Sequence, residues 1–191
     1  MDKPPFPLGP ALLACLFAAL ISVGAYIAVP LPLSPVPIVL QNMFIILAAL
    51  VLGPWWGLLA VALYLVLGAI GLPVFAGGSG GLAKFAGPTG GYLVGYLPAS
   101  IIVGLISRAG KKHARHAWPK DLAAGFAGMA VVYLVGVPWL KTAIGADWKR
   151  ALAAGLLPFL IGDALKLALV VPLAQRIRGG IEGLSGRGAD V

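Results

Sequence analysis

Asp163 and Lys166 are the residues whose types and spacing could do chemistry in this chain. They lie in the apolar stretch "LLPFLIGDALKLALVVPLAQRIR", residues Leu156–Arg178. A spacing of three places both on one face of a helix. A charge held at the middle of a bilayer costs about 2.5–3.5 kcal/mol on insertion scales, so such residues face a cavity or a partner. An acceptor beside a donor suits a polar ligand. The alternative is a self-neutralising pair that only fixes helix packing.

Other polar residues converge on the same depth. Gln41, followed by Asn42, interrupts the apolar run that ends at Leu52, and Tyr92 interrupts another. Between them runs Gly71–Gly91, "GLPVFAGGSGGLAKFAGPTGG", with eight glycines in 21 residues. Closely spaced glycines let backbone N–H groups turn inward around polar ligand atoms, here with Ser79 among them. Gln41 has its own alternative, a hydrogen bond between helices. His113 and His116 form an i, i+3 pair in a basic gap with no carboxylate cluster nearby, which reads as loop residues and not as a metal site. The single cysteine, Cys15, excludes a disulfide framework.

The elements that must position these residues are membrane spans. Of 191 residues, 60% are hydrophobic and 10% charged, and none from Pro4 to Ala83 is Asp, Glu, Lys or Arg. Soluble domains carry about 25% charged residues, so the expected class is an all-α integral membrane protein forming one transmembrane domain over residues 1–191. Six spans are expected at 11–29, 36–52, 54–70, 88–107, 119–140 and 158–177. Pro54, Pro88, Pro119 and Pro158 suit the first turn of a helix, where their missing N–H has no intrahelical acceptor. Pro98, Pro138 and Pro172 lie deeper and should kink or end their helices. Asp147 is the expected N-cap of a short surface helix in "KTAIGADWKRALAAGLL".

Charge sets the direction. Lys3, Arg108, Lys111, Lys112, Arg115, Lys120, Arg176, Arg178 and Arg187 fall on one side, and Lys84, Lys141, Lys149 and Arg150 on the other. The positive-inside rule then puts both termini in the cytoplasm. The net charge of +8 is accounted for by topology, so no nucleic-acid partner is expected. The N-terminus resembles no signal peptide, and the first apolar stretch is expected to be retained.

With this orientation the polar groups gather in the outer leaflet. Asp163 lies about 7–8 Å and Lys166 about 12 Å below the start of their span, with Gln41 about 8 Å and Tyr92 about 6 Å into theirs. The expectation is a pocket open to the outside with a dry floor. Asp163 is the one carboxylate expected inside a span, which leaves a membrane enzyme without paired carboxylates. No Gly-x-x-x-x-Gly-Lys-Ser/Thr loop occurs, so ATP hydrolysis is not expected on this chain.

Three strings carry a resemblance. "LSPVPIVLQ" (Leu33–Gln41), "GLPVFAGGSGGL…FAGPTGGYLVGY" (Gly71–Tyr96) and "LPFLIGDALK" (Leu157–Lys166) occur in the order found in the BioY family, and nearly the whole chain resembles it. These are the biotin-specific substrate-binding (S) components of energy-coupling-factor (ECF) transporters. Val39 departs from the pattern, standing where the family motif has threonine.

The resemblance implies an S-component-like six-helix bundle in a prokaryotic cell membrane, with biotin bound near the outer face and no cofactor. Asp163 and Lys166 match the Gly-Asp-x-x-Lys motif of the last helix, and Gly77, Gly78, Ser79 and Tyr92 fall in the loop and fourth-helix contribution. Asp163 would accept from the ureido N–H groups and Lys166 donate to the ureido carbonyl or pair with the carboxylate. Ser79 and Lys84 are candidates for the far end of the ligand, and Phe75, Tyr92 and Tyr96 for packing on its rings. A transmembrane coupling subunit and two ATPases would drive delivery inward. The small residues Ala14, Ala18 and Ser22 offer a docking face, with packing inside the bundle as the alternative. Other readings are an S component for riboflavin or thiamine, and a structural membrane protein without transport function.

Overall fold

The computed structural model describes residues 8–32, 34–109 and 118–187, with side chains as far as residue 181. Lys3, Lys111, Lys112, His113, Arg115 and His116 lie outside the described residues. The chain is mostly helical. In order it forms α1 (Leu8–Tyr26), strands β1 (Ala28–Leu31) and β2 (Ser34–Val39), α2 (Gln41–Leu52), α3 (Pro54–Ala69), α4 (Ala83–Ala86), α5 (Gly90–Arg108), α6 (Trp118–Ala143), α7 (Trp148–Gly155) and α8 (Leu157–Arg187).

The all-α expectation needs one correction. Residues Ser34–Val39 pair with β1 as an antiparallel hairpin, with Ala28 opposite Val39 and Leu31 opposite Ser34. The span expected from Val36 therefore starts as helix only at Gln41. The reason is local: four prolines within eight residues, Pro30, Pro32, Pro35 and Pro37, remove too many helix hydrogen bonds and hold the backbone extended.

Four stretches are long and apolar enough to cross a membrane: Leu8–Tyr26, Gly90–Arg108, Trp118–Ala143 and Trp148–Ile181. Helices α2 and α3 are equally apolar but have 12 and 16 residues. Helix α2 is the centre of the bundle. Every residue from Ile45 to Leu52 is buried, against α1, α3, α5 and α8. Its last turn is capped from α5, where Arg108 donates to the Val51 carbonyl at 3.3 Å. A helix buried all round must be apolar all round, which explains why its sequence shows no polar face.

Three of the four prolines expected in a first turn lie there. Pro54 opens α3 at its first position, but Pro88 precedes α5 by two residues, and Pro119 and Pro158 are the second residues of α6 and α8. Pro98, Pro138 and Pro172 lie inside helices that continue through them. Asp147 does cap α7, accepting from the Arg150 N–H at 2.8 Å.

A second polar cluster corrects the expectation of a single intramembrane carboxylate. Asp121, in the first turn of α6, is fully buried. It accepts from Ser107 of α5 at 2.6 Å, from Gln175 of α8 at 3.4 Å, and pairs with Arg178 of α8. Arg178 also donates to Ser107 at 3.2 Å. The cluster ties α5, α6 and α8 together at the end of the bundle remote from Asp163.

Candidate functional site

Helix α8 brings Asp163 and Lys166 to one face, and the bundle buries both; they are 4% and 7% exposed. They form an ion pair at 3.0 Å. The pair is part of a frame drawn from four elements. Asn42, at the start of α2, donates to Asp163 Oδ1 at 2.9 Å and accepts from Lys166 Nζ at 2.9 Å. Lys166 Nζ also donates to the carbonyl oxygen of Val39, the last residue of β2, at 2.8 Å. Tyr133 of α6 donates its hydroxyl to Asp163 Oδ2. Opposite charges in contact, with hydrogen bonds on each, are what make burial of ions tolerable.

The frame forms one wall of a cavity of about 440 Å³. The hairpin contributes Pro35, Val36 and Pro37, α2 contributes Gln41 and Asn42, and α5 contributes Tyr92, Tyr96 and Ser100. Ala99, Val103, Gly128 and Met129 line it without charge. The glycine-rich segment supplies Phe75, Ala76, Ser79 and Lys84.

The residues expected at the site fall into three groups. Asp163, Lys166, Tyr92, Ser79, Gln41 and Phe75 all line the cavity. Tyr92 and Ser79 present their side chains with the hydroxyls already engaged, Tyr92 with the Gly155 carbonyl at 2.8 Å and Ser79 with the Ala76 carbonyl at 2.9 Å. Phe75 is fixed edge-on against Tyr64 and Phe85.

Gly77 and Gly78 form the second group, for they shape the loop and do not line the cavity. Both have positive φ, 68° and 72°, which a residue with a Cβ adopts at a cost. The turn they make pairs Phe75 with Ser79 and aims those two side chains inward.

The expected docking residues are the third group, and none of them is exposed on the bundle surface. Ala14 and Ala18 are buried at 0% and 3% exposure, on the face of α1 that packs against α2 and α3. Ser22 is half-buried and donates to the Ala18 carbonyl at 2.9 Å. The exposed face of α1 carries Leu12, Leu16 and Val23 instead.

Asn42 and Tyr133 were not among the expected site residues, although they complete the frame. Both left a signal. Asn42 makes an adjacent carboxamide pair with Gln41 in an apolar run, and Tyr133 sits mid-helix in "AVVYLVG", although tyrosine favours membrane interfaces. Gln41 is also repositioned, from one and a half turns inside a span to the first residue of α2.

The apolar helices and this cavity define a class, the multi-pass helical membrane protein with a ligand-sized chamber inside its bundle. Comparison with known proteins narrows it. The BioY family profile matches residues 2–182, and the chain belongs to the BioY family. It is 44% identical over 167 residues to the probable biotin transporter BioY of Pyrococcus horikoshii, covering 87% of this chain and 94% of that one. It is 43% identical over 165 residues to the biotin transporter BioY of Thermotoga maritima, covering 86% and 93%. Its fold matches the crystal structure of the S-component for biotin from an ECF-type ABC transporter, with a TM-score of 0.86, 31% identity, and 94% and 95% of the two chains covered.

Proposed function

We propose that this chain is the biotin-binding component of an ECF-type uptake transporter. The observation that carries the reading is the hydrogen-bonded Asp163–Lys166 pair buried in the wall of a cavity of about 440 Å³, within the roughly 300–1,000 Å³ of small-molecule sites. An apolar chamber with a few convergent polar groups suits a bicyclic vitamin with one ureido end. Asp163 Oδ2 accepts from a ureido N–H group, and the rings of Phe75, Tyr92 and Tyr96 enclose the bicycle. The far end of the cavity, with Lys84, takes the carboxylate. Relatives named as biotin transporters support the same ligand, and they mark the chain as a transporter and not an enzyme.

In this reading α2 and α3 complete six spans, with both termini cytoplasmic by the charge asymmetry. The cavity mouth, at the hairpin and the glycine-rich segment, faces outward. A transmembrane coupling subunit and two ATPases supply the energy for inward delivery. The docking face for the coupling subunit lies on exposed helix surfaces and not at Ala14 and Ala18.

Equilibrium binding of labelled biotin to the purified, detergent-solubilised protein tests the reading, alongside Asp163→Asn. Saturable one-site binding, lost in the folded variant and not displaced by riboflavin or thiamine, is expected. Folded, ligand-free wild type that binds no biotin would refute it.

A further inference from the structure

The hydrogen-bond inventory of the cavity wall divides its polar groups into those already engaged and those open to a ligand. An ammonium has three N–H donors. Lys166 spends all three, on Val39 O at 2.8 Å, Asn42 Oδ1 at 2.9 Å and Asp163 Oδ1 at 3.0 Å. A ligand carbonyl could accept a hydrogen bond from Lys166 only by breaking one of these. Asn42 is engaged at both ends of its carboxamide.

Gln41 is in the opposite state. It is 2% exposed, it lines the cavity, and its Nε2 has no hydrogen-bond partner among the described residues. The other such buried atom, Tyr64 Oη, belongs to a residue outside the cavity lining. Leaving a buried donor unpaired is costly, so a protein that retains one on a residue lining a chamber has a use for it when the chamber fills.

We infer that Gln41, and not Lys166, donates to the ligand carbonyl, and that Lys166 is a positioning residue. This rests on the biotin reading. A ureido edge presents one C=O beside one N–H, and a carboxamide presents the complementary N–H and C=O. Gln41 therefore pairs with that edge in two parallel hydrogen bonds, Nε2–H to the ureido oxygen and ureido N–H to Oε1. Asp163 Oδ2 keeps one acceptor site for the second ureido N–H. Lys166 holds Asp163, Asn42 and the end of β2 in the geometry this requires. Specificity follows, because a site built around such donors and acceptors rejects analogues that cannot match them.

The test uses the intact chain, biotin and 2-iminobiotin, in which a guanidino group replaces the ureido carbonyl with an N–H donor. Gln41→Met keeps the side-chain volume and removes both polar atoms; biotin binding is expected to weaken by about tenfold or more. Gln41→Glu offers two acceptors, the fork that matches a guanidinium, and is expected to shift the preference from biotin to 2-iminobiotin. A misfolded variant cannot produce that gain. Biotin held by Gln41→Met within about threefold of wild type, a difference below 1 kcal/mol, would overturn the inference. So would Gln41→Glu that still prefers biotin. Wild type that holds no biotin removes the reading beneath the inference and sinks both, a result told apart because it needs no variant.

Discussion

The ammonium of Lys166 lies 2.8 Å from the carbonyl oxygen of Val39, so a side chain of the last helix closes the end of a strand near the start of the chain. The contact uses the backbone of Val39 and not its side chain. Any residue with a free carbonyl can supply this contact, valine included. It also makes Lys166 a structural fastener as well as one half of an ion pair, with a consequence for mutation.

Lys166→Met strands Asp163 as a buried, uncompensated carboxylate and leaves Val39 and Asn42 without a donor. Breaking a buried pair from one side destabilises by about 3–5 kcal/mol. Lys166→Met combined with Asp163→Asn removes both charges and is expected to recover most of that loss. Thermal unfolding of the four proteins in one detergent measures the cycle. A double variant no more stable than Lys166→Met would show that the charge imbalance is not the cause.

Tyr133→Phe removes the hydroxyl that Asp163 Oδ2 accepts and leaves the ring packed edge-on against Tyr92, with centroids 6.5 Å apart. Hydrogen bonds to charged groups contribute about 1.5–3 kcal/mol. The variant is expected to fold and to bind biotin about tenfold more weakly, because the carboxylate is no longer held in one plane. Titration calorimetry reads this directly. Tighter binding would instead show that the tyrosine hydroxyl occupies the place of a ligand N–H.

Arg178→Met acts at the other cluster. Arg178 lies fifteen residues beyond Asp163 on α8, about 22 Å away along the helix axis. Removing it unpairs the fully buried Asp121 and is expected to cost about 3–5 kcal/mol of stability. Ligand affinity of the folded fraction is expected to stay within about twofold of wild type, as for distant sites without shared partners. A large loss of affinity would mean that the two ends of α8 are coupled.

Two glycines give opposite expectations. At Gly104 a Cβ would meet the backbone of Pro54 and lie 2.7 Å from the Gly53 carbonyl carbon, where α5 crosses the α2–α3 turn; Gly104→Ala is expected to destabilise by about 1–3 kcal/mol, as overpacking does. Gly162 directly precedes Asp163, yet a Cβ there meets nothing within 4 Å. Gly162→Ala is expected to stabilise by about 0.5–1 kcal/mol and to leave biotin binding unchanged. Denaturation and binding measured on both variants check the pair.

The helices are legible because apolar runs bounded by glycine and proline are strong local signals; α3, α5 and α6 fall within a few residues of their expected limits, and α8 starts one residue early but runs ten residues further, to Arg187. The hairpin is not, since strand pairing between Ala28 and Val39 is set by where the chain turns back and not by any alternation in "AVPLPLSPVPIV". The same miss displaced Gln41 to a helix start. Asp163 and Lys166 were found because charge in an apolar run is conspicuous. Tyr133 and Asn42 joined them only through tertiary geometry, 30 and 121 residues away in sequence. Asp121 is inconspicuous in the sequence because it sits beside Lys120 at the end of a span, where a carboxylate reads as solvated. Ala14 and Ala18 make the same stripe of small residues whether they meet a partner or α2, and only burial separates the two.

The two pins of β2 bear on how the chain is made. Ser34 Oγ donates to the Ala154 carbonyl at 2.7 Å, and Val39 accepts from Lys166, so both anchors belong to the last quarter of the chain. Synthesis runs from the N-terminus at about 5–20 residues per second, and the hairpin leaves the ribosome several seconds before its fasteners. Until α8 arrives, the chamber lacks a wall, its ion pair and its clasp. A fragment cut short before α8 therefore carries neither the ion pair nor the Lys166 contact that closes β2.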